Sequence, residues 1–365
     1  MNAEEIHALF PRDYASARAA FVEAALEVDA RHTAFEHPLE GPAGEALALD
    51  LAAFGDEDAE DVLFIASATH GVEGFAGSGI QRVLLEDGLP GDIPDSMELI
   101  LAHAINPHGF AWRRRVNEDN VDLNRNFVDH TRPYPVNEGY EELAHMLPPA
   151  EWNAETAGEI AAMYVDALER HGPEWLQAAL QGGQYAHPEG LFYGGAAPAW
   201  SNLRVHEVAQ RFLAGAKRVF FIDIHTALGE HGTAQMITEY EAGSPLQRAA
   251  RDVWGEMAVN AGSGVSVSAR VSGSMIAGVR RALPDVAVIG GGLEYGTVPS
   301  NEVGMAMIAD HWLHAYGDFA SFEAKSIKAE MMRVFYPDTD HWCESVVNIA
   351  RDVVARTIEY VRAAD

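Results

Sequence analysis

At 365 residues, with 48% hydrophobic and 22% charged side chains, the chain is long enough to bury a sizeable core and has the composition of a folded protein rather than a disordered one. Its 25 basic against 55 acidic residues give a formal net charge of -30, which repels phosphate backbones and anionic membrane surfaces and argues against nucleic-acid or membrane partners. The single cysteine, Cys343, excludes an internal disulfide framework and a cysteine-rich metal site, so any metal has to be held by His, Asp or Glu.

The N-terminal stretch MNAEEIHALFPRDYASARAAF lacks a basic start and a continuous apolar core, and no later run approaches membrane-spanning length. The expected location is therefore the cytoplasm. Residues 13–29 carry a helical apolar period, and EALALDLAAF near position 50 reads as a strand. Val62 to Ala66 form a short continuous apolar run that predicts a buried strand, and it runs straight into HGVEG. Gly71, Gly74 and Gly77 mark a turn there, and the spacing of Phe75, Ile80, Val83 and Leu84 predicts a helix packing back on the sheet. His70 and Glu73 thus fall at the carboxyl end of a strand, where open α/β sheets bind ligands.

MELILAHAIN, from Met97, predicts a second buried strand that ends at Asn106, Pro107 and Gly109. Between about 137 and 181 the chain turns acidic and Trp-bearing, with GYEELAHML and AGEIAAMYVDALERHG as amphipathic helical segments. Further on, Arg218 to Ile224 reads as a strand ending on His225, and Val286 to Leu293 as one ending on Glu294. No internal repeat or low-complexity linker interrupts the chain. The expectation is one α/β domain over residues 1–365 with a helical insertion at about 130–185.

A zinc hydrolase needs three protein ligands and one open position, and two histidines with a glutamate are a well-attested set. His70, Glu73 and His225 supply those types, and a spacing of three lets the first two reach one ion from a single turn. H-x-x-E is weak by itself, since a chain with 16 histidines holds such pairs by chance, and a capped helix start is the competing reading. His103, His108 and His231 read as structural or surface histidines. A second metal, if there is one, belongs first near Glu230 or His231.

H-G-V-E at His70, N-P-H-G at Asn106, the arginines 113–115, D-L-N-R-N-F at Asp122, D-I-H-T at Asp223 and the strand ending L-E-Y-G occur in this order over roughly positions 60 to 300. Together they resemble the zinc carboxypeptidase superfamily, carboxypeptidase A-like metallopeptidases related to the succinylglutamate desuccinylase and aspartoacylase deacylases, in a bacterial branch. The resemblance implies a zinc-carboxypeptidase-like (phosphorylase/hydrolase-like) fold: a mixed central sheet flanked by helices, with the insertion above. It also implies Zn2+ as cofactor, held by His70, Glu73 and His225, with Glu294 as general base. Asn124 and Arg125 correspond to the pair that binds a substrate carboxylate, and Arg115, chosen over Arg113 and Arg114, to the group that polarises the scissile carbonyl. Asp122 is expected to accept a hydrogen bond from His70, whereas Asp223 is expected to point away from the site.

The stretch VSGSMIAGVRR before Glu294 holds no tyrosine where digestive carboxypeptidases carry one. Tyr240 or Tyr295 could stand in for it, and Arg280 or Arg281 could supply an anion contact. The resulting expectation is a metallopeptidase cleaving an amide bond next to a free carboxylate through a metal-activated water, acting on a small peptide. The alternatives are an N-acyl amino acid deacylase acting on an acylated amino acid, and a non-catalytic binding protein that keeps the fold.

Overall fold

The computed structural model describes residues 1–364. Eight strands, β1 (Arg31–Glu40), β2 (Ala46–Phe54), β3 (Asp61–Ala66), β4 (Met97–His103), β5 (Arg218–His231), β6 (Ala234–Thr238), β7 (Ala258–Asn260) and β8 (Ala287–Gly296), form one sheet. Its order is β1-β2-β4-β3-β5-β8-β6-β7. The middle strands β4, β3, β5 and β8 run parallel, while β2 and β6 pair antiparallel at their flanks. The sheet is mixed and flanked by helices, as expected.

Continuous apolar runs become strands here because both faces are covered. Every residue of β3 and β4 is buried. Leu63 and Ile65 point into one apolar cluster, with the helices Tyr14–Glu27, Gly74–Glu86, Pro245–Trp254 and Asp340–Arg362. Their neighbours Val62, Phe64 and Ala66 point into the other, with Trp200–Val208 and Met275–Ala282. This is the period of two expected of a strand.

The order also fixes where a ligand can sit. From β3 the chain passes through the helix Gly74–Glu86 to β4 on one side, whereas β5 lies on the other side of β3. The connections diverge between β3 and β5, so a crevice opens at their carboxyl ends.

The helices Glu138–Leu143, Ala154–His171 and Pro173–Gln181 lie in the range 130–185, where a helical insertion is expected. Their residues Tyr140, Ile160 and Ala179 share an apolar cluster with Val72, the residue between Gly71 and Glu73, and with Val303 and Met307 of Ser300–Tyr316. The insertion therefore packs directly on the strand-to-helix turn. Strands β1, β6 and β7 are not marked by the apolar runs that reveal the inner strands, and β5 continues to His231, well past His225. Among the described residues no helix is long and apolar enough to cross a membrane.

Candidate metal centre

β3 leads through His70 into the 3-10 turn Gly71–Glu73, and the helix Gly74–Glu86 follows without a side-chain cap. The capped-start reading of His70 and Glu73 therefore fails. The turn is pinned from outside: Gly71 N–H donates to the Arg115 carbonyl at 3.0 Å and Val72 N–H to that of Arg114 at 2.9 Å. Only glycine fits at position 71, because a Cβ there would lie 2.0 Å from the backbone of Gly109. Asn106, the first residue of N-P-H-G, accepts from Gly109 N–H at 2.8 Å and donates to the Arg115 carbonyl at 3.4 Å. That motif shapes the loop that carries Arg115.

His70, Glu73 and His225 meet in the crevice, exposed by 4%, 1% and 4%. His70 Nδ1 lies 2.9 Å from Glu73 Oε1, His225 Nδ1 lies 2.9 Å from Glu73 Oε2, and the two Nδ1 atoms are 3.2 Å apart. These separations come within a few tenths of an ångström of the roughly 3.3–3.5 Å edge of a tetrahedron whose corners lie about 2.0–2.2 Å from its centre. The far side of each ring is spoken for. His70 Nε2 meets Asp122 Oδ1 at 3.2 Å, and His225 Nε2 meets Asp223 Oδ2 at 2.6 Å. A carboxylate only accepts, so each Nε2 carries the proton and each Nδ1 of a neutral ring turns a lone pair toward the Glu73 oxygens. Acceptors then face acceptors, and the arrangement is satisfied by added protons or by a cation.

Electrostatics records the same competition. Burial works against a charged His225, yet Asp223 and Glu73 outweigh it and hold its pKa well above the ordinary value. Burial likewise opposes charge on Glu73, and His70 and His225 overcome it, bringing the carboxyl down to about 2. A metal ion would take the place of those protons on the same lone pairs. The donor set of two imidazoles and a carboxylate suits zinc. Among the described residues one group of three such side chains is close enough to share an ion, and it is this one.

Asp223 corrects the expectation that it points away. Residues two apart on a strand share a face, so Asp223 and His225 of β5 project together. Thr69 Oγ1 fixes the Asp223 carboxylate from the other side at 2.8 Å. The D-x-H spacing was the sequence signal for this pair.

Glu294 stands opposite His225 in the β5–β8 register and is part-buried. Its Oε1 accepts from Leu228 N–H at 3.0 Å. Burial first, then the charge of Glu73, push its pKa up to about 7, against the pull of His225, the Leu228 N–H and Arg115. Of the three arginines, Arg113 is exposed, Arg114 turns to Asp310, and Arg115 reaches the site. There Arg115 Nε donates to Asp122 Oδ2 at 3.1 Å and Nη1 to Glu73 Oε1 at 3.3 Å. Asn124 Nδ2 lies 3.2 Å from His225 Nε2, and its Oδ1 accepts from Met275 N–H at 2.9 Å. Arg125 is buried, with Asp122 Oδ1 at 3.9 Å.

Other candidates lie elsewhere. The Tyr240 hydroxyl bonds the backbone of Gly290, and Tyr295 is fully buried on the face opposite Glu294. Arg280 donates to the Glu239 carbonyl at 2.9 Å and Arg281 to the Phe127 carbonyl. His103 stacks on Phe21, His108 on Trp112, and His231 bonds the Thr297 carbonyl at 2.7 Å.

The family described as "Protein of unknown function (DUF2817)" matches residues 10–349. The chain belongs to this DUF2817 family. No curated protein matches its sequence. Among solved structures, the DUF2817 chain is similar to bovine thrombin-activatable fibrinolysis inhibitor, with 10% identity, 96% of this chain and 98% of that one covered, and a TM-score of 0.48. A metallo-carboxypeptidase from Burkholderia cenocepacia shows 12% identity over 95% of this chain and 69% of that one, with a TM-score of 0.43. The succinylglutamate desuccinylase from Chromobacterium violaceum shows 14% identity, covering 88% and 74%, with a TM-score of 0.38.

Proposed function

We propose that the chain is a zinc-dependent hydrolase that cleaves an amide bond beside a free carboxylate. The observation that carries this reading is the convergence of two imidazole lone pairs and the Glu73 carboxylate in the β3–β5 crevice, with Glu294 on the adjoining strand. An ion held there supplies Lewis-acid chemistry, lowering the pKa of a water and polarising a carbonyl.

The chain's own groups supply the rest. Asp122 and Asp223 hold the two rings in the tautomer that turns Nδ1 inward. Glu294, steadied by the Leu228 N–H, takes a proton from the attacking water and returns it to the leaving nitrogen. Arg115 is fixed through Nε and Nη1, leaving Nη2 for the substrate's carbonyl oxygen as negative charge grows there. Asn124 and Arg125 bind the substrate's carboxylate, for which a planar guanidinium is suited. The order of the sequence motifs supports these roles.

One observation favours a small acylated amino acid over a longer peptide. Gln177 of the insertion donates to the Val267 carbonyl at 3.2 Å, and Gln235 holds both Val265 and Val267. The insertion is thereby tied to the loop beside β6, and on this reading the tie limits the room for a long substrate. The test is a hydrolysis screen of the zinc-loaded chain against N-acyl amino acids, dipeptides and longer N-blocked peptides, each beside its C-terminal amide. Turnover confined to the free carboxylates supports the reading, and preference within the panel separates deacylase from peptidase. Tight zinc binding with no turnover of any compound would leave a binding protein that keeps the fold.

A further inference from the structure

The segment that closes the helical insertion reaches into the site. Gln181 is the last residue of the helix Pro173–Gln181. Its carbonyl is thus one of the final four that the helix cannot satisfy itself, at the end that carries partial negative charge. That carbonyl sits in the fork of Arg125, taking Nε at 3.1 Å and Nη2 at 2.5 Å. Two donors along one edge of a guanidinium are the arrangement with which arginine grips a carboxylate. Nη1 is turned to the Asn124 carbonyl at 2.9 Å.

Arg125 has little freedom to swing aside. Its guanidinium carbon lies 5.5 Å from the centre of the Phe192 ring, as does that of Arg115. Gly183, at φ +89, presses on it so closely that a Cβ would fall 2.6 Å from Arg125 Cδ. The other partner in the contact is the insertion's last turn. Asn137 Nδ2 clips it, donating to the Ala179 carbonyl at 3.0 Å and to that of Gly183 at 2.9 Å.

We infer that the Gln181 carbonyl is a built-in competitor for the substrate's carboxylate, and that it sharpens selection for anionic substrates. A carboxylate brings a full negative charge and two oxygens to the guanidinium, where the carbonyl offers one oxygen with a partial charge, so it displaces the carbonyl. A carboxamide offers only another neutral oxygen and gains nothing by the exchange. Specificity then comes from the occupant that a wrong substrate cannot remove, as well as from contacts to the right one. This inference rests on the reading of Arg125 as the carboxylate-binding group.

The test uses the full chain loaded with zinc, with a set of N-acetyl amino acids and the corresponding N-acetyl amino acid amides as probes. Amide exchange is followed at residues 181–184, where Gly182 N–H is bonded to Ala178 and Gln184 N–H to Phe192. The carboxylates are expected to speed exchange there by about threefold or more, and the amides to leave it unchanged. Asn137→Asp keeps the acceptor that serves Tyr140 N–H but loses the clip's donor. It is expected to lower KM for the carboxylates by about threefold with kcat unchanged, since less binding energy is spent on displacement. Preferred turnover of carboxylates with unchanged or slower exchange at 181–184 overturns the competitor and leaves the hydrolase standing. An unchanged KM in a folded Asn137→Asp chain counts the same way. Equal turnover of carboxylates and amides, or none of either, removes the role of Arg125 and the competitor with it.

Discussion

Arg114 and Arg115 are neighbours in sequence but serve two buried charged clusters that handle burial in opposite ways. Arg114 faces Asp310 Oδ2 at 3.7 Å, and Lys328 Nζ meets Asp310 Oδ1 at 2.5 Å and His314 Nε2 at 2.7 Å. There cations surround a carboxylate, and burial together with Arg114 and Lys328 keeps His314 neutral by lowering its pKa. Around Arg115, two imidazoles and the Glu73 carboxylate turn acceptors toward one another. The first cluster turns donors toward a carboxylate of its own. The second turns acceptors toward acceptors, which added protons or a cation would satisfy, so the two clusters differ in the direction of their lone pairs rather than in the number of charged residues.

The strongest test of that contrast is Glu294→Gln. It is expected to keep bound zinc while losing about 10²–10⁴-fold in turnover, because shape is preserved and the proton acceptor removed. Metal analysis alongside kcat decides it: near-normal turnover would give the base role to another residue, and loss of zinc would move Glu294 into the ligand set. Next in size is Asp310→Asn. Removing the carboxylate leaves Arg114 and Lys328 buried without their partner, at an expected cost of about 3–5 kcal/mol in chemical unfolding, with zinc affinity unchanged in the folded fraction. Altered zinc binding there would merge the two clusters.

Asp223→Asn should act on the other cluster alone. With the proton of His225 Nε2 no longer fixed by a carboxylate, zinc affinity is expected to fall about 10–100-fold in a competition titration with a chelator. No change would make Asp223 a purely structural partner of Thr69. An effect of similar size concerns pH. Burial brings the Lys328 pKa down to about 8 against the pull of Asp310, with Arg114 adding to the fall. The folded value thus lies below the ordinary 10.5, so the unfolded chain binds more protons between those two values, and this group's contribution to stability rises with pH across that range. Relative to Lys328→Met, the wild type should gain about 2–3 kcal/mol as pH rises from about 8 to about 10.5. A stability difference that stays flat with pH would show a lysine protonated throughout.

Much of the site was legible before folding, for a local reason. His70, Glu73, His225 and Glu294 each end or follow an apolar run, and such runs show as strands when covered on both faces. The edge strands β1 and β7 and the strand β6 beside β7 carry no such run, so the signal that reveals β3 and β4 is missing from them. Asp223 was legible too, but only if the period of two is applied to D-x-H, which puts both side chains on one face of β5.

What the sequence by itself determined is the set of residue types at the strand ends and the chain order of the motifs, because both follow from local pattern. Choosing among three consecutive arginines required the tertiary structure: Arg113 is exposed, Arg114 goes to Asp310 on a distant helix, and Arg115 to Glu73 and Asp122. The partner of Arg125 was equally beyond local pattern, since Gln181 lies 56 residues away and offers only a backbone carbonyl, a group every residue carries. Periodicity reports which way a side chain faces. It cannot report which of many identical backbone oxygens will arrive in front of it, because that is set by how a whole helix packs.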